Sequence, residues 1–233
     1  MTSKTLVVTL DGPAGSGKST LAKKLADALN FQFLDTGATY RAVTFECMHR
    51  GVNLDDTEAV KGVASSITIT FSDGGQRVLI DGVDRSREIR TREVTNSISK
   101  VANKPEIREI LVTLQRKIAS TGQFVTEGRD QGTVCFPDAL WKFYIVASPQ
   151  LRAERRLAQM IQQGLPVPAE GLPAILQDVI RRDEADMSRA VGPLRKAEDA
   201  IEVSTDGQTE AESLNHLVEL VHQRAPVGLF PAH

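Results

Sequence analysis

Residues 5–20 read TLVVTLDGPAGSGKST, and the fold is legible from this stretch outwards. Leu6 to Leu10 form a nearly unbroken apolar, β-branched run, the pattern of a strand covered on both faces. Gly12-Pro13-Ala14-Gly15-Ser16-Gly17-Lys18-Ser19 then matches G-x-x-x-x-G-K-[ST] at every fixed position. Leu21, Leu25, Ala28 and Leu29 follow at helical spacing, so the spacing predicts a helix over 19–29. A strand, a glycine-rich loop and a helix in that order bring backbone N–H groups and a positive helix end onto phosphate oxygens. Gly12 through Thr20 are therefore the candidate triphosphate site. Lys18 is placed to reach the β- and γ-phosphates, and the Ser19 hydroxyl to help hold Mg²⁺.

The rest of the chain repeats the strand–helix alternation. Phe31–Asp35, Phe124–Glu127, Phe143–Ala147 and Ile201–Ser204 read as further strands, with helices over 150–163, 174–189 and 208–223. This rhythm predicts an α/β fold with a five-stranded parallel sheet flanked by helices. One interval departs from it. After a helix around Tyr40–Arg50, Ile67–Phe71 alternates apolar and polar residues, Ser72-Asp73-Gly74-Gly75 offers a turn, and Arg77–Asp81 reads as a returning strand. Two helices follow; the second opens on Pro105 and carries Ile107, Ile110, Leu111, Leu114 and Ile118 on one stripe. Residues 38–104 are thus expected to form an inserted antiparallel-hairpin and helical subdomain. The irregular stretch Gly164–Pro173 is expected to be a hinge or a loop, and residues 225–233 a flexible tail.

Composition narrows the function. The 233 residues are 41% hydrophobic and 25% charged, ordinary for a soluble globular chain of one domain, here 1–233, with an insertion. Twenty-eight Lys and Arg against 30 Asp and Glu leave a net charge of −2, which disfavours a nucleic-acid backbone as partner and a nucleic-acid-handling ATPase as the function. Aromatics at 5% are too few for a base-stacking platform. No apolar run is long enough for a membrane span, and Cys47 and Cys135 read as reduced thiols of a cytoplasmic protein. No helix carries a two-faced apolar pattern that would demand an oligomer, so a monomer is expected.

A kinase for a small anionic acceptor needs arginines converging from outside the loop. Arg41 follows the second strand in DTGATYR, and Arg129 closes the third in EGRD, both where an open sheet places its ligand crevice. Arg182, Asp186 and Arg189 are spaced i, i+4, i+7, on one face of the expected helix. Read alone, Arg182 and Asp186 are more often a solvated salt pair than site residues. Asp35 is either a helix cap or a site residue, and Asp11 either caps a strand end or holds Mg²⁺ waters at a distance. The four histidines show no spacing with carboxylates that suggests catalysis.

The order LDGPAGSGKST, FLDTGATYRAV, IRTREVTNSISKVAN, EIREIL, TEGRDQGTVCFPDA, RRDEADMSRAVGPL and AEDA resembles the bacterial cytidylate kinases from about residue 5 to 205. The resemblance implies a P-loop nucleoside monophosphate kinase with an acceptor-binding (NMP-binding) insertion, a helical lid over about 150–190, and transfer of a phosphate from ATP·Mg²⁺ to CMP or dCMP in pyrimidine metabolism. It implies that Arg41, Arg129 and Arg189 grip the acceptor phosphate and the transferring group, with Lys18, Arg129, Arg182 and Arg189 catalytic. Arg182 and Asp186 match its lid residues, with Asp186 near the ribose. Thr36 matches a substrate-binding hydroxyl. Ser99, Arg108 and Asp130 match its base-reading positions, where cytosine's amino group, N3 and O2 find complementary partners and uracil leaves buried groups unpaired. On the residues alone, Ser99 is also a plain surface serine and Arg108 a solvated arginine. Thr39 stands where methionine is common, and Ser204 where aspartate is. A kinase for UMP, AMP or shikimate, and a non-catalytic nucleotide-binding regulator, are the alternative readings.

Overall fold

The structure, a computed structural model, describes residues 6–230. In chain order it runs β1 (Val7–Asp11), α1 (Lys18–Leu29), β2 (Gln32–Asp35), α2 (Thr36–His49), α3 (Thr57–Ser66), β3 (Ile69–Ser72), β4 (Arg77–Ile80) and β5 (Val83–Asp84). It continues through α4 (Arg92–Ala102), α5 (Pro105–Ala119), β6 (Phe124–Gly128), β7 (Trp141–Val146), α6 (Pro149–Gln162), α7 (Leu172–Met187), β8 (Ile201–Ser204) and α8 (Glu210–Gln223). The five strands β2-β6-β1-β7-β8 form a parallel sheet in that order, and β3-β4-β5 form a separate antiparallel sheet. This is the expected fold class.

Parallel pairing aligns the chemistry. Asp11 sits opposite Gly128, and Asp35 opposite Glu127, so the phosphate loop, the start of α2 and the segment after β6 leave the sheet at one edge. Every residue of β1 is buried, as its apolar run requires. On one face Leu21, Leu25 and Leu29 of α1 pack with Trp141, Leu217 and Val221. On the other, Val7, Leu34 and Phe124 pack with Val112, Phe136 and Ala139. The insertion has its own core, where Val60, Val63, Ile69, Val78, Ile80 and Ile89 meet Val43, Val101 and Leu111. Helices α6 and α7 share a small cluster of Ala153, Ile175 and Val179.

Several boundaries differ from the sequence reading. Helix α2 begins at Thr36, four residues before Tyr40, because the Asp35 carboxylate caps it by accepting from Ala38 N at 2.9 Å. Helix α3, capped by Asp56, and the short strand β5 were not foreseen. Helix α7 ends at Met187, so Arg189 lies beyond the helix that was expected to carry it. Ser188 is its C-cap, and the chain folds back so that Leu194 N donates to Asp186 O. Within 225–230, Leu229 and Phe230 pack on the core, and the Phe230 ring stacks on His222 and Phe31. Residues 231–233 of the expected tail lie outside the described residues, as do residues 1–5.

Candidate active site

A cavity of about 280 Å³ opens at the C-terminal edge of β1, β2 and β6. Ala14, Gly15, Lys18 and Ser19 border it from the phosphate loop, Thr36, Tyr40 and Arg41 from α2, and Arg129, Asp130 and Gln131 from the segment after β6. Arg108 of α5 and Arg182, Asp186 and Arg189 complete the wall. Six cations (Lys18, Arg41, Arg108, Arg129, Arg182, Arg189) face three carboxylates (Glu127, Asp130, Asp186), a balance that favours a polyanion. A second cavity adjoins it, lined by Gly17, Lys18, Ser19 and Thr20 with Arg155, Arg156 and Arg182. Lys18, Ser19 and Arg182 border both, so they stand where two ligands would meet.

The loop is shaped by glycines where no other residue fits. Gly12 has φ +152°, and a Cβ there would overlap the Ile145 carbonyl oxygen of β7. Lys18 is buried; its Nζ donates to Pro13 O at 3.1 Å and lies 3.8 Å from Glu127 Oε2. Burial, reinforced by Arg129, brings its pKa down to about 7. Burial likewise pushes Asp11 up to about 7, even though both carboxylate oxygens accept backbone N–H bonds, from Gln131 at 2.8 Å and Gly132 at 2.7 Å. Asp11 thus caps the turn of residues 131–135 that follows Asp130.

Asp35 is both cap and clamp. Its Oδ2 accepts from Arg41 Nη2 at 2.7 Å and from Arg90 Nη2 at 3.1 Å, which aims Arg41 along the cavity wall. The Thr36 hydroxyl donates to Glu127 O at 2.7 Å, tying α2 to β6. Asp186 gathers two arginines, Arg129 through Nε at 2.7 Å and Arg189 through Nη2 at 2.5 Å. Burial alone would raise the Asp186 carboxyl, but Arg129 and Arg189 outweigh it and hold it below its ordinary value. Burial lowers Arg182, and Arg129 beside it acts in the same direction. Asp186 acts on Arg182 electrostatically but takes its ion pairs from Arg129 and Arg189, and Arg182 borders both cavities.

Arg108 and Asp130 form a buried ion pair, with Arg108 also donating to Ala102 O at 3.2 Å and lying 5.4 Å over the Tyr40 ring. The solvated reading of Arg108 is corrected: the residue is 4% exposed, because α5 buries Arg108 and Gln115 on the same side as Ile107 and Leu111. Burial pushes the Asp130 carboxyl up, against the pull of Arg108, Arg189 and Arg129. Ser99 is exposed and is not among the residues lining the cavity, although Ile98 and Ala102 of the same helix are.

Residues that sequence reasoning did not assign also shape the site. Tyr40 and Gln131 line the cavity, and Arg90 steadies Asp35. Arg152, 3% exposed, pairs with both oxygens of Asp183 on α7 and donates to Ala14 O of the phosphate loop at 3.0 Å. An arginine on the buried face of α6, next to Ala153, is the one local sign of that strut.

The cytidylate kinase family model matches residues 8–223. The chain belongs to the cytidylate kinase family. It is 45% identical to the cytidylate kinase of Mycolicibacterium paratuberculosis over 97% of this chain and 99% of that one. It is 41% identical to the cytidylate kinase of Clostridioides difficile over 93% of this chain and 98% of that one. Among solved structures it is similar to TT1252 from Thermus thermophilus, with a TM-score of 0.50 and 17% identity over 96% of this chain and all of that one, a likeness of fold. Among the described residues, no helix is long and apolar enough to cross a membrane.

Proposed function

We propose that this cytidylate kinase family member transfers the γ-phosphate of ATP to CMP or dCMP, giving ADP and CDP or dCDP. The observation that carries the reading is the buried Arg108–Asp130 pair in the wall of a cavity that Lys18, Arg129, Arg182 and Arg189 also line. Such a cavity offers cations to an anion and fixed donors and acceptors to a polar ring.

The acceptor phosphate binds to Arg41 and Arg129, and the base to Arg108 and Asp130. Ser99 completes the base contacts once α4 closes towards them. Asp186, held by Arg129 and Arg189, faces the sugar, and Thr36 supports the acceptor from α2. The donor triphosphate lies in the loop from Gly12 to Thr20. The acceptor oxygen is anionic at neutral pH, so it attacks the γ-phosphorus without a general base while the bond to the β–γ bridging oxygen breaks and ADP leaves. Lys18, Arg129, Arg182 and Arg189 offset the charge that moves across the two cavities.

Mg²⁺ enters with the nucleotide. Among the described residues no three His, Cys, Asp or Glu side chains cluster as a metal cage, whereas the exposed Ser19 hydroxyl borders both cavities. Ser19 would hold the ion, which supplies charge neutralisation to the phosphates. The insertion of about 38–104 and the lid of about 150–190 close over both substrates and keep water from the γ-phosphate, with Gly164–Pro173 as hinge. The enzyme works as a cytoplasmic monomer, in keeping with its two free, buried thiols.

The test is ADP release from ATP·Mg²⁺ with CMP, dCMP, UMP, AMP, shikimate or no acceptor, with Lys18→Ala as the blank. Turnover with CMP and dCMP, weak with UMP and near zero without acceptor, is expected. Equal rates with CMP and UMP would remove the base-reading roles, and acceptor-independent hydrolysis would remove the kinase.

A further inference from the structure

Behind the acceptor cavity runs a chain of buried polar side chains that the reaction does not use directly. The Thr39 hydroxyl donates to Thr36 O at 2.7 Å, so its oxygen is left to accept from Gln115 Nε2 at 2.9 Å. That fixes Gln115 Oε1 towards Cys135, whose thiol donates to it at 3.2 Å, and the sulfur in turn accepts from Gln131 Nε2 at 3.3 Å. One hydroxyl hydrogen at Thr39 thus sets the direction of every bond along the row. The donation needs a neutral thiol, and burial keeps Cys135 well above the ordinary thiol range. Thr39 and Gln115 are fully buried, and Cys135 and Gln131 are 1% exposed.

The row joins the two walls that the acceptor must fit between. Thr39 lies on α2 between Thr36 and the cavity-lining Tyr40 and Arg41, while Cys135 and Gln131 lie on the turn that begins at Asp130. Gln115 is on α5, two turns beyond Arg108, whose guanidinium pairs with Asp130. Its neighbour Arg116 donates to Cys135 O at 2.7 Å and Val134 O at 2.8 Å, binding the same turn from outside. We infer that Gln115 is a positioning residue that sets the spacing between the phosphate-gripping wall of α2 and the base-reading Arg108–Asp130 pair, and so tunes the fit of the acceptor and not of ATP. The inference rests on the CMP kinase reading above.

The test compares steady-state kinetics of the wild type, Gln115→Leu, and the double variant Thr39→Val, Gln115→Leu, which also removes the hydroxyl left facing the new apolar side chain while Cys135 still accepts from Gln131. In both variants KM for CMP should rise about fivefold, the effect of one buried hydrogen bond, with kcat and KM for ATP nearly unchanged. The double variant should recover part of the melting temperature that Gln115→Leu loses, without recovering KM for CMP. An unchanged KM for CMP in Gln115→Leu, its return to the wild-type value in the double variant, or equal rises for CMP and ATP would each overturn the inference. Absence of CMP phosphorylation by the wild type would instead overturn the functional reading beneath it.

Discussion

Lys18 Nζ lies 3.8 Å from the Glu127 carboxylate while donating to the Pro13 carbonyl, so the loop lysine is held between its own loop and the end of β6. With burial bringing its pKa down to about 7, the side chain is mostly neutral at pH 8 in the free protein. Triphosphate charge beside it favours the ammonium, so binding ATP takes up a proton between about pH 7 and pH 10. Affinity for ATP should therefore fall as pH rises through that window. Calorimetry at pH 8 in two buffers of different ionisation enthalpy should report uptake approaching one proton, lost in Lys18→Met. Binding without uptake in the wild type would contradict it.

Asp35 combines a helix cap with an arginine clamp, and the two can be separated. Asparagine still caps α2 but loses the charge that holds Arg41 and Arg90. Asp35→Asn should raise KM for CMP about tenfold while lowering stability by no more than about 1 kcal/mol. Asp35→Ala should show the same rise together with a loss of about 2 kcal/mol in chemical denaturation, because the cap goes as well. Equal stability of the two variants would show that the cap contributes nothing.

Gly192 stands over the Arg108–Asp130 pair. It has φ +59°, and a Cβ there would overlap the Arg108 guanidinium and crowd Asp130 Oδ2. Gly192→Ala is expected to part a buried ion pair, which costs about 3–5 kcal/mol when one partner is lost outright and less when both are only displaced. Denaturant unfolding should therefore show a loss of about 1–3 kcal/mol, and the preference for CMP over UMP should shrink. An unchanged CMP-to-UMP ratio would argue that Arg108 and Asp130 do not read the base.

Helices α6 and α7 share only a small apolar cluster, and Arg152 straps α7 to the phosphate loop through Asp183. Hydrogen exchange over Gly164–Pro173 should slow when both nucleotides are present and change little with either alone. Identical exchange in all four states would exclude the stretch as the hinge of a closing lid.

Much of this was legible in the sequence for physical reasons that vary along the chain. The strands of the parallel sheet are short apolar runs bounded by turn residues, and the phosphate loop is contiguous, so both read locally. Helix α2 hid its start because Ala38, Thr39, Tyr40, Ala42, Val43, Thr44 and Cys47 are all buried and leave no clear stripe. Helix α3 was too short to announce itself, with Val60, Val63 and Ala64 as its whole buried face. The contacts that aim the arginines join distant positions, as Asp35 with Arg90 and Arg152 with Asp183 do, and no local periodicity encodes them. Arg189 reaches Asp186 by a turn of the chain after α7 and not by helical spacing.

The most direct measurement follows the phosphorus itself. ATP labelled at the γ-phosphate is incubated with Mg²⁺, CMP and the enzyme, and the products are separated. Label in the terminal phosphate of CDP, with little in inorganic phosphate and none transferred by Lys18→Ala, is the predicted result. Label in inorganic phosphate regardless of CMP, or label that stays in ATP, would contradict the account.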